Sequence, residues 1–202
     1  MKITILGSGN IGGTLGRKWA AAGHAVTFAT RDPSSPRLAA LTAASKNIRA
    51  GSYEAALPAA AVVLVAVPSK ALAEVAAAHA AQLDGKILID ATNDFAAPLI
   101  NGLETLRRAA PRARLFRAFN SLGWEVFADP MVGGVQADML YSGPDGEDRK
   151  AVAGLIEAVG VRPIWVGDND LVRIVDDQGW LWVSLVMRRG WPRRLAFRAL
   201  TD

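Results

Sequence analysis

The sequence predicts an α/β protein: a Rossmann-type doubly wound parallel sheet with a small helical C-terminal extension. Three observations carry this. Short apolar, β-branched runs alternate with amphipathic stretches along the 202 residues. Strands separated by helices of such lengths pair in parallel through right-handed crossovers. A glycine cluster, Gly7-Ser8-Gly9-Asn10-Ile11-Gly12, directly follows the first apolar run.

Lys2 to Leu6, KITIL, reads as a buried strand. Gly13 to Ala22 reads as a helix, and Gly23 ends it with left-handed geometry available to it. His24 to Ala29 is the second strand and Leu38 to Ser45 the second helix, with a short strand near Asn47 to Ala50. Tyr53 to Ala60 is helical. Val62 to Val67 has the unbroken apolar character of a strand buried on both faces. Ala71 to Leu83 is an Ala-rich helix closed by Gly85, Lys86 to Ala91 a strand, and Leu99 to Ala109 a helix. Arg114 to Phe119 and Ala137 to Ser142 are the next strands. Gly146 to Val159 is a helix stopped by Gly160, and Arg162 to Val166 is the last strand. Asn169 to Met187 reads as one long helix and Pro192 to Leu200 as a short terminal one. No repeat or linker interrupts the chain. The expectation is one domain over residues 1–202, its sheet running through most of the chain, with 120–202 packed on it as an extension.

Composition narrows the chemistry. Half of the residues are hydrophobic, and 21% are charged, as in a globular protein. There is no cysteine, which excludes disulfides, thiolate zinc sites, iron–sulfur clusters and a cysteine nucleophile. A net charge of +4 suits an anionic ligand but is too small to argue for nucleic acid. The first strand begins at Lys2, which leaves no room for a targeting segment before it. The longest apolar runs, Ala59 to Pro68 and Trp180 to Met187, fall short of the roughly 20 residues of a membrane-spanning helix. The default expectation is a cytoplasmic protein. The stripe of Trp, Leu and Val from Trp180 to Met187 further predicts a homodimer interface.

The glycine loop carries the strongest functional signal. A Gly-x-Gly-x-x-Gly pattern is weak alone, but here it ends a strand, opens a helix and sits inside a βαβ unit. Gly7 permits the tight turn, Gly9 lets a pyrophosphate approach the backbone, and Gly12 lets the helix pack on the sheet. The free N–H groups of the helix start then attract phosphate charge. The end of the second strand selects the nucleotide. An NAD site has Asp or Glu there, binding the ribose hydroxyls. Here Thr30 takes that place and Arg31 follows, a hydroxyl and a guanidinium suited to the 2′-phosphate of NADP. The alternative, with Asp32 as the ribose acid, places it two positions late and before Pro33.

These residues also carry a resemblance. The segment ILGSGNIGGTLGRKWAAAGHAVTFATRDP resembles the start of NADPH-dependent coenzyme F420 reductases, the deazaflavin-linked NADP oxidoreductases. It is similar too to their bacterial relatives and to the reductase domain of metal-reducing membrane proteins. The resemblance continues through VVLVAVPSK, ILIDATND, LFRAFNSLGWEVFADP and ADMLYSGPDGEDRKAVAGLIEAVGVRPIWVGDNDLVRIVDD. It implies Thr30 and Arg31 at the 2′-phosphate, and Ser8, Asn10 and Ile11 at the pyrophosphate. It implies Val67 and Pro68 along the stretch from adenosine to nicotinamide, with Asn93 and Asn120 beside the nicotinamide pocket.

No proton donor for a carbonyl substrate stands out. There is no Tyr-x-x-x-Lys pair, since Leu57 follows Tyr53 and Asp145 follows Tyr141 at that spacing. His24 and His79 read as structural or surface residues, and Lys70 as a solvated lysine. Hydride exchange with a flavin-like ring needs orientation and exclusion of water more than acid catalysis. The expected function is therefore hydride transfer between NADPH and a planar small-molecule acceptor, coenzyme F420 or a flavin. Two alternatives stay open: reduction of a small imine or carbonyl metabolite, and NADP(H) sensing without catalysis. Trp124, Trp180 and Trp182 are either stacking platforms or packing. Arg188, Arg189, Arg193, Arg194 and Arg198 are either an anion patch or a solvated face.

Overall fold

The computed structural model describes residues 1–202. The chain runs through β1 (Lys2–Leu6), α1 (Asn10–Ala21), β2 (Ala25–Ala29), α2 (Pro36–Ala43), β3 (Ile48–Gly51), α3 (Tyr53–Ala56) and β4 (Val62–Val65). It continues with α4 (Ser69–Ala78), α5 (Ala80–Leu83), β5 (Ile87–Asp90), α6 (Leu103–Ala109) and β6 (Arg114–Arg117). The remainder holds α7 (Trp124–Ala128), β7 (Met131–Val132), β8 (Val135–Gln136), β9 (Asp138–Tyr141), α8 (Glu147–Val159), β10 (Arg162–Trp165) and α9 (Val172–Val183).

Six strands form one sheet in the order β3-β2-β1-β4-β5-β6, and every pairing in it is parallel. β4 and β5 are buried along their whole length, which is why they read as unbroken apolar runs. One face packs under α1 and α8, joined by the Trp19 indole, whose Nε1 donates to Leu155 O at 2.8 Å. The other face packs under α4 and α6 around Leu72, Leu103 and Leu106. The strand order reverses between β1 and β4. Ligands of open α/β sheets bind outside the carboxyl ends of the strands at such a point.

Several elements differ from the sequence reading, each for a local reason. The strands near 137–142 and 162–166 do not extend the main sheet. They pair with each other in parallel, and β9 touches β6 only through an antiparallel bridge between Arg117 and Ser142. β7 and β8 form a small antiparallel hairpin just ahead of β9. Pro192 to Leu200 is extended coil rather than helix. Asp138 N donates to Phe197 O, and Ala199 N donates to the buried Asp138 carboxylate, so this backbone is spent on β9. The helix of 71–83 breaks at His79, whose ring turns onto Tyr53. The helix expected from Leu99 starts at Leu103, because Gly102 N is claimed by the Asp90 carboxylate. The short helix α7 was not foreseen. The long helix of 169–187 is an α-helix between a 3-10 turn, Asn169–Leu171, and a π-helical turn, Ser184–Arg188. No helix is long and apolar enough to cross a membrane.

Candidate dinucleotide site

Gly7 follows the last residue of β1 with a φ of 107°, and a side chain there would strike Ala66 O beyond β4. A Cβ on Gly12 would overlap Gly7 O and press on Ile5, so the helix can start this close to the sheet only with glycine. Above Gly9 there is open space: no atom lies within 4 Å of where its Cβ would be. α1 begins at Asn10 with no side-chain cap and no acidic residue in its first turn. Its free N–H groups and dipole are left for an anion.

The loop separates two cavities. The first, of about 430 Å³, is lined by Gly7, Ser8, Thr30, Arg31, Val67 and Pro68, and also by Ser52, Tyr53, Glu54, Glu74 and His79. Six of the residues singled out in the sequence therefore meet here. Asp32 does not. Its carboxylate accepts from Ser34 N at 3.0 Å and Ser34 Oγ at 2.6 Å, folded back on its own turn. Arg31 is the one arginine or lysine on the wall. Glu54 is held below the ordinary carboxylate range by backbone and Ser52 hydrogen bonds, and so adds a carboxylate there. Tyr53 is raised, through burial, against the lowering field of Arg31.

The second cavity, of about 230 Å³, is lined by Asn10, Ile11, Asn93 and Asn120 together with Phe95, Leu122, Gly123, Trp124, Gly179, Trp182, Val183 and Arg193. Its lining holds no carboxylate, histidine, tyrosine or lysine. Asn120 and Trp182 are 6% and 8% exposed, and Asn120 Oδ1 and Trp182 Nε1 lack hydrogen-bond partners. Glu125 lies just behind this wall. Its Oε1 pairs with Arg193, while Oε2 is buried and unpartnered, 2.6 Å from where a Gly123 Cβ would sit. Between α1 and α2 a third hollow, of about 300 Å³, collects Gly9, Arg17, Arg37 and Trp124. There Arg37 donates to Asn10 Oδ1 at 3.1 Å.

Of the residues weighed in the sequence, His24 sits at the amino end of β2 against the N-terminal amine, away from both cavities. Burial and that amine lower its pKa. Lys70 is exposed and lines neither. Four of the five C-terminal arginines are used within the chain, while Arg189 is exposed. Arg188 lies over Trp180, Arg193 over Trp182, Arg194 pairs with Asp129, and Arg198 with Asp138. The sequence reading missed Tyr53 as a cavity wall, His79 as its partner, Arg37 as a second cation beside the loop, and the buried Arg117. A basic residue inside the apolar run LFRAF was the available signal for the last.

The chain fits a dinucleotide on three counts: the space over Gly9, the uncapped start of α1, and the unpartnered polar atoms at the far cavity. Comparison with known proteins agrees. Residues 2–94 match the family NADP oxidoreductase, coenzyme F420-dependent. Over its full length the chain is similar to a provisionally named F420 dependent NADP-reductase from Arthrobacter sp. FB24, at 26% identity and a TM-score of 0.84, covering 100% of both chains. A hypothetical protein from Sinorhizobium meliloti is 28% identical with a TM-score of 0.71, over 85% of this chain and 87% of that one. A pyrroline-5-carboxylate reductase from Coxiella burnetii, 17% identical, shares the fold at a TM-score of 0.66, over 93% of this chain and 68% of its own. No protein of curated function matches the chain. Fold, loop and matches define the class: an NADP-dependent oxidoreductase. Within it, the stretch from β1 to β5 is similar to the coenzyme F420-dependent NADP oxidoreductases.

Proposed function

We propose that the chain transfers hydride between NADPH and a planar acceptor, coenzyme F420 or a flavin. The observation that carries this is the lining of the 230 Å³ cavity, which is aromatic and amide in character and free of an acid–base side chain. A carbonyl substrate needs a proton as its oxygen becomes an alkoxide, whereas ring-to-ring hydride transfer does not need one from the protein. In this reading the N–H groups at the start of α1 hold the pyrophosphate and Thr30 and Arg31 the 2′-phosphate. Val67 and Pro68 border the ribose path, and Asn93 and Asn120 the nicotinamide. Bound NADPH supplies the hydride. The chain's own contribution is alignment, with Phe95, Trp124 and Trp182 presenting flat apolar surface and excluding water. Residues 120–202 serve as an extension of a single domain, since they supply Trp124, Trp182 and Arg193 to that wall. We also infer a homodimer through the outer face of α9.

One observation favours a second reading, reduction of a small imine or carbonyl compound. The half-free Glu125 carboxylate behind Gly123 would be its proton donor. NADPH oxidation against F420, flavins, ferric chelates, quinones and cyclic imines separates the two. The first reading expects turnover with F420 or a flavin that survives Glu125→Gln. Turnover confined to imines or ketones and lost in Glu125→Gln would establish the second instead.

A further inference from the structure

Arg117, the last residue of β6, is completely buried, as is Asp90 at the end of β5. Its guanidinium is almost fully subscribed. Nε donates to Asp176 Oδ1 at 2.9 Å, from α9. Nη1 donates to Asp90 Oδ2 at 3.0 Å and to the carbonyls of Asp90 and Thr92. Nη2 donates to Asn93 Oδ1 at 2.6 Å. Both carboxylates are fixed in turn. Asp90 accepts from Thr92 N, Thr92 Oγ1 and Gly102 N, and Asp176 from Asn101 Nδ2 at 2.6 Å. The mechanism above does not use this network, yet it ends on a cavity residue.

The consequence lies in the Asn93 amide. Its oxygen is taken by Arg117, and one Nδ2 hydrogen goes to Asn120 O at 2.7 Å. A flipped amide would turn its NH₂ onto the guanidinium and its oxygen onto a carbonyl, like against like. Asn93 therefore keeps its second N–H for the cavity. Asn120 spends one Nδ2 hydrogen on Val175 O at 3.4 Å, and its Oδ1 is a buried acceptor with no partner. The two side chains line the same cavity, and between them they include a free N–H of Asn93 and the unpartnered Oδ1 of Asn120. A primary carboxamide carries the complementary pair, a C=O and an NH₂.

We propose that Arg117, braced by Asp90 and Asp176, is a positioning residue that fixes the Asn93 amide, so that Asn93 and Asn120 together read the carboxamide of the nicotinamide ring. This rests on the reading that the cavity takes the nicotinamide end of NADP. The ring's rotation about its glycosidic bond, and with it the face shown to the acceptor, is set by that pair.

The experiment compares binding of NADP with its 3-acetylpyridine analogue, in which a methyl group replaces the amide NH₂, and of 2′,5′-ADP, which lacks the nicotinamide end. The wild-type chain is expected to prefer NADP over the analogue by about tenfold, one lost hydrogen bond to a buried acceptor. Arg117→Lys keeps the charge but cannot hold both carboxylates and Asn93. Without the Asn93 donor on the carbonyl, the carboxamide no longer holds its NH₂ against Asn120 Oδ1, so the preference is expected to fall to about twofold, with 2′,5′-ADP binding unchanged. That ratio separates positioning from a general loss of stability, which would weaken all three ligands. Should Arg117→Lys fail to fold, Asp176→Asn, which slackens the brace, is expected to reduce the preference about threefold. A wild-type ratio retained in whichever variant folds overturns the proposal, as does a wild-type chain that binds both dinucleotides equally. If 2′,5′-ADP binds and NADP gains nothing over it, the reading of the cavity falls, and the proposal with it.

Discussion

Tyr53 stacks on His79 with ring centroids 4.5 Å apart and planes 18° from parallel, and both rings line the cavity that Arg31 borders. The pair ties the start of α3 to the break between α4 and α5. It gives the cavity a flat, largely apolar wall suited to a purine. Tyr53→Ala removes that wall. An aromatic stacking contact is worth about 0.5–1.5 kcal/mol, so calorimetric titration should show a loss of roughly two- to tenfold. The loss should be the same for NADP and NAD, which share the adenine. A loss confined to NADP would mean that the wall serves the phosphate instead.

Arg31 should separate the two cofactors. It is the cation of that cavity, and Thr30 lies beside it. Charge-assisted hydrogen bonds to the 2′-phosphate are worth about 1.5–3 kcal/mol, so Arg31→Ala should weaken NADP roughly ten- to a hundredfold. NAD should change far less, because in the proposed reading the Gly7 to Gly12 loop holds the pyrophosphate of either cofactor. Thr30→Asp should go further, repelling the phosphate and offering the ribose hydroxyls an acceptor. Equal losses for NADP and NAD in Arg31→Ala would remove this side chain from phosphate recognition.

How much of this was legible depended on how local each signal was. β1, α1 and the glycine loop follow from neighbouring residues, because turn, helix start and strand end lie within a dozen positions. Thr30 and Arg31 could be placed by counting along β2. The cavity walls could not. Tyr53 and His79 are 26 positions apart in sequence, and only the crossover through β4 brings them together. The same holds for Arg117, whose partners come from three separate elements. In the last third of the chain, alternation of strand and helix was a misleading guide. The pairing of β9 with β10 is parallel as such a pattern implies, but the pair meets β6 only through the single antiparallel bridge between Arg117 and Ser142. The composition of the terminal coil permits a helix. The competing demand, a buried carboxylate on β9 that captures its backbone, is a tertiary effect.

Asp138 makes that demand testable by pH. It is 1% exposed and accepts from Arg162 Nε at 2.7 Å and from Ala199 N at 2.7 Å. Burial pushes its pKa up, but the Arg162 and Ala199 hydrogen bonds and the charges of Arg162 and Arg198 outweigh it. The result lies below the ordinary 3.8. A carboxylate with a depressed pKa contributes stability in full above its unfolded value and loses it as pH falls through the folded one. The tail at 197–199 should therefore stay docked down to about pH 4 and detach only below it. Asp138→Asn should release it at neutral pH, at a cost of about 1.5–3 kcal/mol in urea unfolding. Limited proteolysis at neutral pH reports the variant, and pepsin between pH 2 and 5 the wild type. A tail equally protected in both would show that the backbone pairing with β9 suffices alone.

The outer face of α9 carries the last prediction. Within the stretch from Trp180 to Met187, Trp182 and Val186 turn inward at 8% and 6% exposure, so this stretch is only partly available to a partner. The residues left outward are Leu181 and Met187, joined by Ile174 one heptad before Leu181 and by Leu171. Ile174 and Leu181 are 47% and 46% exposed on the same side of the helix, and Met187 is 63% exposed beyond it. Such a stripe on a helix suits packing against its own copy about a two-fold axis. Light scattering at micromolar concentration is expected to give the mass of a dimer. Ile174→Glu combined with Leu181→Glu would place four like charges in that interface and should yield a monomer. The inward face of the same helix holds Asp176 and Trp182, which the substitutions do not touch. 2′,5′-ADP binds, in the proposed reading, at the cavity formed by β1, β2, α3 and α4. Its affinity should therefore stay within about twofold of wild type, a change below 0.5 kcal/mol. A wild-type chain already monomeric at that concentration would leave the exposed stripe without the role assigned to it.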